Sequence, residues 1–227
     1  KKFSDIVINH NEPIKRTKTM TDRAILFDLD GVIFDTEHFY TDFWAKQGKT
    51  FRGDVKDLEM KIKGRGLKDI FQEFFPNEAI QQKIVCELKS MEKQMTFQYI
   101  NGAEKFIRML ISRNEKICLV TSSKKDKMHN VFVSRPEIKQ YFPLMITSDD
   151  IKHSKPSPDC YLKAAELCCV DVRNCVVFED SLAGIEAAKL AGMRVIALST
   201  SYPKSDLQGK ADMVIDDFTK ITFDELF

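Results

Sequence analysis

Two aspartates whose side chains could take part in a chemical reaction follow a short apolar run near residue 25. Asp28 and Asp30 flank Leu29 directly after Ala-Ile-Leu-Phe (24–27), and Gly31 follows them. Such a run, bounded by a turn signal, predicts a buried strand of a parallel sheet. Side chains alternate along an extended backbone, so both carboxylates are expected on one side of the strand end. Two carboxylates so close repel each other unless a cation lies between them, and a hard divalent ion with oxygen ligands suits that position.

Other interpretations of this tetrapeptide stay open at this point. Asp-x-Asp-Gly also begins calcium-binding loops, but Val32 stands where those loops need a third Asp or Asn, and no helix precedes the pattern. A simple turn with two solvated aspartates is a further alternative, so the rest of the chain must decide.

Polar residues also follow two other apolar runs. Thr121, Ser122 and Ser123 come after one, and Glu179 with Asp180 comes after another. Hydroxyls and free backbone amides at a strand end can bind a phosphate, although one hydroxyl could simply cap the next helix. A helix cap accounts for one acid at most, so the second acid pair favours metal coordination.

Lys155 is the candidate cation of the same group. Proline follows it, so its backbone is stiff and can direct a point charge at a carboxylate or phosphoryl group. A solvated surface lysine is the alternative, and the neighbouring His153 is interpreted as a bystander. Ser157 and Pro158 are typical of a helix start.

Composition excludes several classes of protein. The 227 residues carry a net charge of +1, which gives no reason to expect a nucleic acid or membrane partner. Six cysteines lack Cys-x-x-Cys spacing, which predicts reduced, mostly buried thiols. No apolar stretch approaches membrane-spanning length. These features predict a cytoplasmic protein.

The elements that position these residues alternate in type. We expect an α/β fold with a doubly wound parallel (Rossmann-like) sheet and an inserted small all-helical cap domain. Predicted strands are 24–27, 117–120, 144–147, 175–178, 195–198 and 213–215, and predicted helices include 103–111 and 158–168. The predicted domains are an N-terminal arm, poorly ordered, at 1–21, a catalytic core at 22–34 and 101–227, and a helical cap at 35–100.

The predicted cap has its own apolar pattern and two links to the core. Aromatic and aliphatic residues recur at helical spacing through it, and Lys-Gly-Arg-Gly (63–66) reads as a loop between helices. The links fall near 35–37 and 99–102, and two crossings permit hinge closure over the strand ends.

Together these motifs resemble the haloacid dehalogenase-like superfamily, in its β-phosphoglucomutase and sugar-phosphatase-like subgroup. The resemblance covers residues 23–217 and rests on Asp28-x-Asp30-Gly, Thr121, Lys155-Pro156, and Glu179-Asp180 followed by Gly184. Each motif is weak alone, whereas the four in this order are specific.

The resemblance implies a role for each matching residue. Asp28 would be the nucleophile that forms an aspartyl-phosphate, and Asp30 would protonate the leaving group and then activate water. Thr121 and Ser122 would bind the phosphoryl group, and Lys155 would neutralise charge. The implied Mg²⁺ ligands are Asp28, Asp30 through its backbone carbonyl, and Asp180, with Glu179 nearby.

Within the family, the residues favour a phosphatase. Dehalogenases lack the second aspartate, and Asp30 is present. Mutases resembling β-phosphoglucomutase have a histidine and an arginine where this chain has Tyr40 and Leu67, although Lys124 matches a mutase lysine.

We therefore expect a monomeric, Mg²⁺-dependent hydrolase of a small phosphomonoester. A hexose-phosphate mutase is the alternative, and a non-catalytic module that binds a phosphate ligand is a third interpretation. Lys124, Arg65 and Tyr40 are the candidate residues for contact with the rest of the substrate.

Overall fold

Six parallel strands form one sheet in the order β3-β2-β1-β4-β5-β6. The computed structural model describes residues 22–227, so the predicted arm at 1–21 lies outside the described residues. The strands are β1 Ala24–Phe27, β2 Lys116–Val120, β3 Leu144–Ile146, β4 Cys175–Glu179, β5 Arg194–Leu198 and β6 Met213–Ile215. The α/β class and the sheet are confirmed, and the predicted strand ends differ by one residue at most.

Ten α-helices accompany the sheet in the described part of the chain. Four follow β1, namely α1 Glu37–Phe51, α2 Leu58–Lys61, α3 Leu67–Phe74 and α4 Glu78–Gln94. The others are α5 Ala103–Ser112, α6 Lys125–Ser134, α7 Glu137–Tyr141, α8 Asp159–Cys168, α9 Leu182–Leu190 and α10 Lys204–Leu207. Helix α8 begins at Asp159, one residue later than predicted, with Pro158 preceding it.

Strand order reverses beside β1, and this reversal positions the site. β1 pairs with β2 on one side and with β4 on the other, so the chain fills one half of the sheet and then returns to start the other. Ligands of open α/β sheets bind at the carboxyl ends of the strands where this reversal occurs. All four residues of β1 are fully buried, which explains the uninterrupted apolar run.

Each face of the sheet packs against a different side-chain layer. Aromatic residues fill one layer, where the ring centroids of Phe27 and Phe178 lie 5.0 Å apart and Phe218 packs beside them. Alanine and cysteine dominate the other layer, under α8 and α9, because small side chains let these helices approach the sheet closely.

The four helices after β1 have a hydrophobic core of their own. It contains Phe43, Trp44, Phe75 and Ile84, all buried. This core ends before the predicted cap boundary at residue 100, since Met95 and Phe97 pack into the aromatic layer of the sheet.

The two links between these helices and the sheet lie side by side. The Asp35 amide donates to the Gln98 carbonyl (2.8 Å), and the Ile100 amide donates to the Ile33 carbonyl (2.9 Å). A pair of adjacent backbone segments can bend together, so this geometry suits a hinge.

All six cysteines are free thiols, and four of them are buried, which agrees with the expectation of mostly buried thiols, while Cys86 and Cys169 are exposed. Within residues 22–227, no helix combines the length and the apolar character needed to cross a bilayer.

Candidate active site

A buried lysine joins the ends of β1 and β4. The ammonium Nζ of Lys155 lies 2.6 Å from Asp28 Oδ1 and 2.6 Å from Glu179 Oε1. Burial acts to lower the pKa of Lys155, but the two carboxylates outweigh it and hold that pKa well above its usual value. Burial also raises the pKa of Asp28 to about 8, although Lys155 opposes the rise. The alternative of a solvated Lys155 is therefore wrong, since this residue is 2% exposed.

Glu179 is the partner of Lys155, and both of its oxygens are occupied. Oε1 also accepts from the Tyr161 hydroxyl (2.8 Å), while Oε2 accepts from the amides of Asp180 (2.9 Å) and Ser181 (3.1 Å). Burial acts to raise the pKa of Glu179, and Lys155 outweighs it, so the pKa is lowered. The structure thus places Glu179 on the lysine and leaves it no free oxygen for a metal ion.

Asp180 lies beside the Asp28–Gly31 loop with little positive charge near it. A Cβ at Gly31 would lie 2.6 Å from Asp180 Cγ, so only glycine permits this approach, and its φ of +72° also favours glycine. The Ser201 hydroxyl donates to the Asp180 carboxylate. Burial, followed by the charges of Glu37 and Glu179, raises the pKa of Asp180 well above its usual value.

This charge distribution fits a divalent cation between Asp28 and Asp180. Both carboxylates are buried with raised pKa values, because burial first and neighbouring acids second disfavour their ionised forms, and a bound cation would offset both effects. In residues 22–227 no group of three or more His, Cys, Asp or Glu side chains is arranged as a metal site. Two carboxylates, a backbone carbonyl and water molecules are nevertheless sufficient for Mg²⁺, which keeps several waters when protein-bound.

Asp30 points to a different set of donors from Asp28. Its carboxylate accepts hydrogen bonds from the hydroxyls of Thr36 (2.5 Å) and Ser123 (3.2 Å). The ammonium of Lys127 lies 2.6 Å from Oδ1 and 2.5 Å from Oδ2. β1 ends at Phe27, so the expected strand alternation of Asp28 and Asp30 does not apply, and each carboxylate has its own lysine.

The hydroxyls after β2 do not cap the next helix. Lys124 is the N-cap residue of α6 and makes no side-chain capping bond. Thr121 Oγ1 instead accepts from the Ser123 amide (3.0 Å), and the Ser122 hydroxyl donates to the Gly64 carbonyl (3.0 Å). The hydroxyl of Ser122 therefore contacts the loop between α2 and α3, which leaves its backbone amide as the group that could bind phosphate.

A cavity of about 820 Å³ lies between the sheet and the four inserted helices, lined by Asp28, Asp30, Asp180 and all three candidate substrate residues. Arg65 is already paired with Glu73 (2.6 Å). Tyr40 donates its hydroxyl to Glu92 (3.1 Å), and Lys124 is exposed at the cavity.

Sequence reasoning missed Lys127, Thr36 and Tyr161, and it named Ser123 as a phosphate-binding hydroxyl without its contact to Asp30. Lys127 could have been found, because it lies four residues before Val131 and therefore on the buried face of α6. Tyr161 shares the buried face of α8, but sequence alone does not show that its hydroxyl reaches Glu179.

Comparison with known proteins identifies a family and several relatives that this chain resembles. A family model described as "Haloacid dehalogenase-like hydrolase" matches residues 25–198. The chain is 30% identical to (DL)-glycerol-3-phosphatase 1, mitochondrial, of Arabidopsis thaliana, across 89% of this chain and 74% of that protein. It is 29% identical to a phosphorylated carbohydrates phosphatase of Thermotoga maritima, across 76% and 83% respectively.

Solved structures show the same architecture. A β-phosphoglucomutase of Clostridium difficile superposes with a TM-score of 0.73 at 25% identity, covering 89% of this chain and 94% of that one. Phosphatases and a mutase thus occur among the similar proteins, so the residues of this chain must discriminate between the two reactions.

Proposed function

The chain belongs to the haloacid dehalogenase-like hydrolase family, and from this membership we propose that it is a Mg²⁺-dependent phosphatase of a small phosphorylated metabolite. The observation that carries the proposal is the buried contact between Lys155 Nζ and Asp28 Oδ1 (2.6 Å), next to Asp180 at the reversal of strand order. A carboxylate held by a cation beside a second carboxylate suits attack on an anionic phosphorus centre.

The first chemical step would phosphorylate Asp28. Its carboxylate oxygen forms a bond to phosphorus while the bond from phosphorus to the ester oxygen breaks. Asp30, in its protonated form, gives its proton to the departing oxygen, so the product leaves as an alcohol.

The second step would return the enzyme to its starting state. Asp30 removes a proton from a water molecule, the water oxygen bonds to phosphorus, and the acyl phosphate bond to Asp28 breaks. Inorganic phosphate then leaves, and Asp30 has regained the proton that it donated in the first step.

Other residues would hold the phosphoryl group and its charge. Thr121 and the amide of Ser122 can contact phosphoryl oxygens, and Lys155 provides the fixed positive charge. Mg²⁺, held by Asp28, Asp180 and the Asp30 carbonyl, would supply further neutralisation of the two anions that must meet.

The cavity supports a small-metabolite substrate. Its volume of about 820 Å³ accommodates a sugar phosphate or a nucleotide, and the inserted helices contribute Trp44, Leu67 and Phe71 to its wall. Cavities of this size typically enclose most of a small ligand.

The test is phosphate release from a panel of glycerol 3-phosphate, sugar phosphates, nucleotides and phosphoglycolate, with Mg²⁺ and with a chelator. We expect turnover that needs the metal and is lost by several orders of magnitude in Asp28→Asn. Asp35→Asn is the matched control, because Asp35 is exposed in the same loop. Turnover that survives complete metal removal, or equal loss in both variants, would contradict the proposal.

A further inference from the structure

Lys127 is a fully buried lysine that the sequence motifs leave without a role. It is the third residue of α6 and is 1% exposed, whereas lysines are almost never buried unless paired. Its ammonium contacts both oxygens of Asp30, at 2.6 and 2.5 Å. Lys127 therefore restrains the orientation of the carboxylate that would transfer protons in both chemical steps.

The same ammonium also contacts the inserted helices. It lies 4.6 Å from the centroid of the Tyr40 ring, at the distance of a cation–π interaction. Tyr40 belongs to α1, and its hydroxyl donates to Glu92 Oε1 on α4 (3.1 Å). A continuous series of contacts thus runs from Asp30 through Lys127 and Tyr40 to Glu92, and it crosses from the sheet domain to the inserted helices.

We propose that Lys127 is a positioning residue that holds the Asp30 carboxylate for proton transfer and, through Tyr40, makes that position depend on the inserted helices. The inference rests on the proposed function, since it assumes that Asp30 acts as acid and base. If the helices move away at the hinge, the Tyr40 ring leaves the ammonium and water reaches the ion pair. Lys127 therefore restrains Asp30 in the closed form, which excludes bulk water, and not in the open form.

Two variants of Lys127 and one control separate the effect of charge from that of packing. Lys127→Met removes the ammonium and keeps an unbranched side chain, while Lys127→Arg keeps the charge. Lys125→Met is the matched control, because Lys125 is an exposed lysine of the same helix that pairs with Asp150 (3.0 Å). Circular dichroism and thermal melting would establish that each variant is folded.

Two substrates separate the two chemical steps. Glycerol 3-phosphate has a poor leaving group and needs the proton from Asp30 in the first step. p-Nitrophenyl phosphate has a leaving group that departs without a proton, so only the second step needs Asp30.

We expect Lys127→Met to lower steady-state turnover of both substrates about 100-fold, in line with general acid–base contributions. With p-nitrophenyl phosphate it should still release a rapid burst of about one p-nitrophenolate per active site. We expect Lys127→Arg to recover part of the turnover. A merely structural role would instead reduce burst and turnover together, since misfolded molecules do not accept a phosphoryl group.

Tyr40 provides a second pair of variants in case Lys127→Met does not fold. Tyr40→Phe keeps the ring over the ammonium and Tyr40→Leu removes it, so we expect the leucine variant to turn over about tenfold more slowly than the phenylalanine variant. Equal turnover of these two variants would overturn the inference.

The remaining outcomes also decide the matter. A folded Lys127→Met that turns over like Lys125→Met would show that Lys127 does not position Asp30, and so would a folded Lys127→Met that gives no burst. In both cases the proposed phosphatase function stands. If the wild-type protein releases phosphate from no member of the panel, the proposed function itself fails.

Discussion

At the scale of single residues, the two acids that follow β4 have different tasks. Glu179 gives both oxygens to Lys155, Tyr161 and backbone amides, whereas Asp180 faces the Asp28 loop and accepts only from Ser201 among the contacts described. We expect Asp180→Asn to weaken Mg²⁺ binding at least about 100-fold, since it removes a ligand charge, and Glu179→Gln to weaken it less than about tenfold.

At Glu179, turnover and metal affinity should respond differently to substitution. Glu179→Gln should still lower kcat on the order of 100-fold, because Lys155 loses one of its two charged partners and its ammonium is positioned less firmly beside Asp28. Mg²⁺ titration by calorimetry and steady-state kinetics measure the two effects. Equal loss of Mg²⁺ affinity in both variants would make Glu179 a metal ligand and contradict the structure.

The sequence predicted the roles of some residues at this site better than those of others, and the reasons are physical. Asp28, Lys155 and Asp180 were predicted because each lies at the end of a buried apolar run or precedes a proline. Glu179 was placed near the metal because adjacent acids are indistinguishable until their side-chain directions are known. The glycine at 184 carries the missing information, since a Cβ there would overlap the Glu179 carboxylate, which shows how closely α9 approaches it.

At the scale of elements, Gly66 allows the loop between α2 and α3 to lie close to the sheet domain. A Cβ at Gly66 would lie 2.6 Å from both Cβ and Oγ of Ser154, although the φ of −73° is allowed for any residue. We expect Gly66→Ala to lower kcat/KM about tenfold or more by keeping the loop from the strand ends. Steady-state kinetics measure this effect, and melting temperature shows whether the fold is retained.

Gly53→Ala, in the connection between α1 and α2, is the control for this substitution. Its added Cβ would meet nothing within 4 Å, so we expect wild-type kinetics. If Gly66→Ala also behaves as the wild type, close approach of the loop between α2 and α3 is not needed for turnover.

Helix α4 brings a partly buried acid to the same interface. Burial raises the pKa of Glu92 despite the opposing charge of Lys127 and the Tyr40 hydrogen bond, while Asp30 raises it further and Lys89 opposes. The folded state therefore binds this proton more tightly than the unfolded state, so the wild type loses stability as pH rises through the raised pKa.

Glu92→Gln removes this titration and keeps an acceptor for Tyr40. We expect its free energy of unfolding, relative to the wild type, to be higher at pH 7 than at pH 4, by on the order of 1 kcal/mol. Urea denaturation at the two pH values measures the difference. A constant difference would show that Glu92 has the same pKa in the folded and unfolded chains.

The elements themselves were predictable where periodicity was unambiguous. All six strands were found, because buried parallel strands are short apolar runs such as Val195–Leu198 between turn signals. The cap boundary was less certain because Met95 keeps the helical spacing of α4 yet packs against the sheet, a tertiary contact that local spacing does not reveal.

At the scale of the whole molecule, the inserted helices lie against the sheet domain. The Tyr202 hydroxyl donates to the Met60 carbonyl (2.8 Å), the Ser122 hydroxyl donates to the Gly64 carbonyl (3.0 Å), and Ser154 donates to Asp69. This is a closed arrangement, and the paired links at Asp35 and Ile100 provide a hinge for opening.

We expect solution scattering to show a larger radius of gyration for the ligand-free protein than for the protein with Mg²⁺ and a metal fluoride, which imitates the phosphoryl group. The ligands favour closure because they contact groups from both sides of the cavity only in the closed form. Gly66→Ala should stay expanded with the same ligands. Profiles that are identical with and without ligands, in both proteins, would contradict hinge closure.

The side chains that line the whole cavity determine which product the reaction gives. A mutase and a phosphatase share phosphorylation of Asp28 and differ in whether a sugar hydroxyl or water attacks next. A mutase must hold a bisphosphate while it reorients, which needs cations on the inserted helices. Here Leu67 is apolar and Arg65 is engaged by Glu73, so neither position offers an unpaired cation, although Lys68 of α3 also lines the cavity. We therefore expect water to attack.

With β-glucose 1-phosphate and a trace of the bisphosphate, free phosphate should exceed glucose 6-phosphate at least about tenfold in coupled assays of both products. Glu73→Ala would release Arg65 and should shift the ratio towards glucose 6-phosphate, whereas rapid isomerisation by the wild type with little free phosphate would identify a mutase instead.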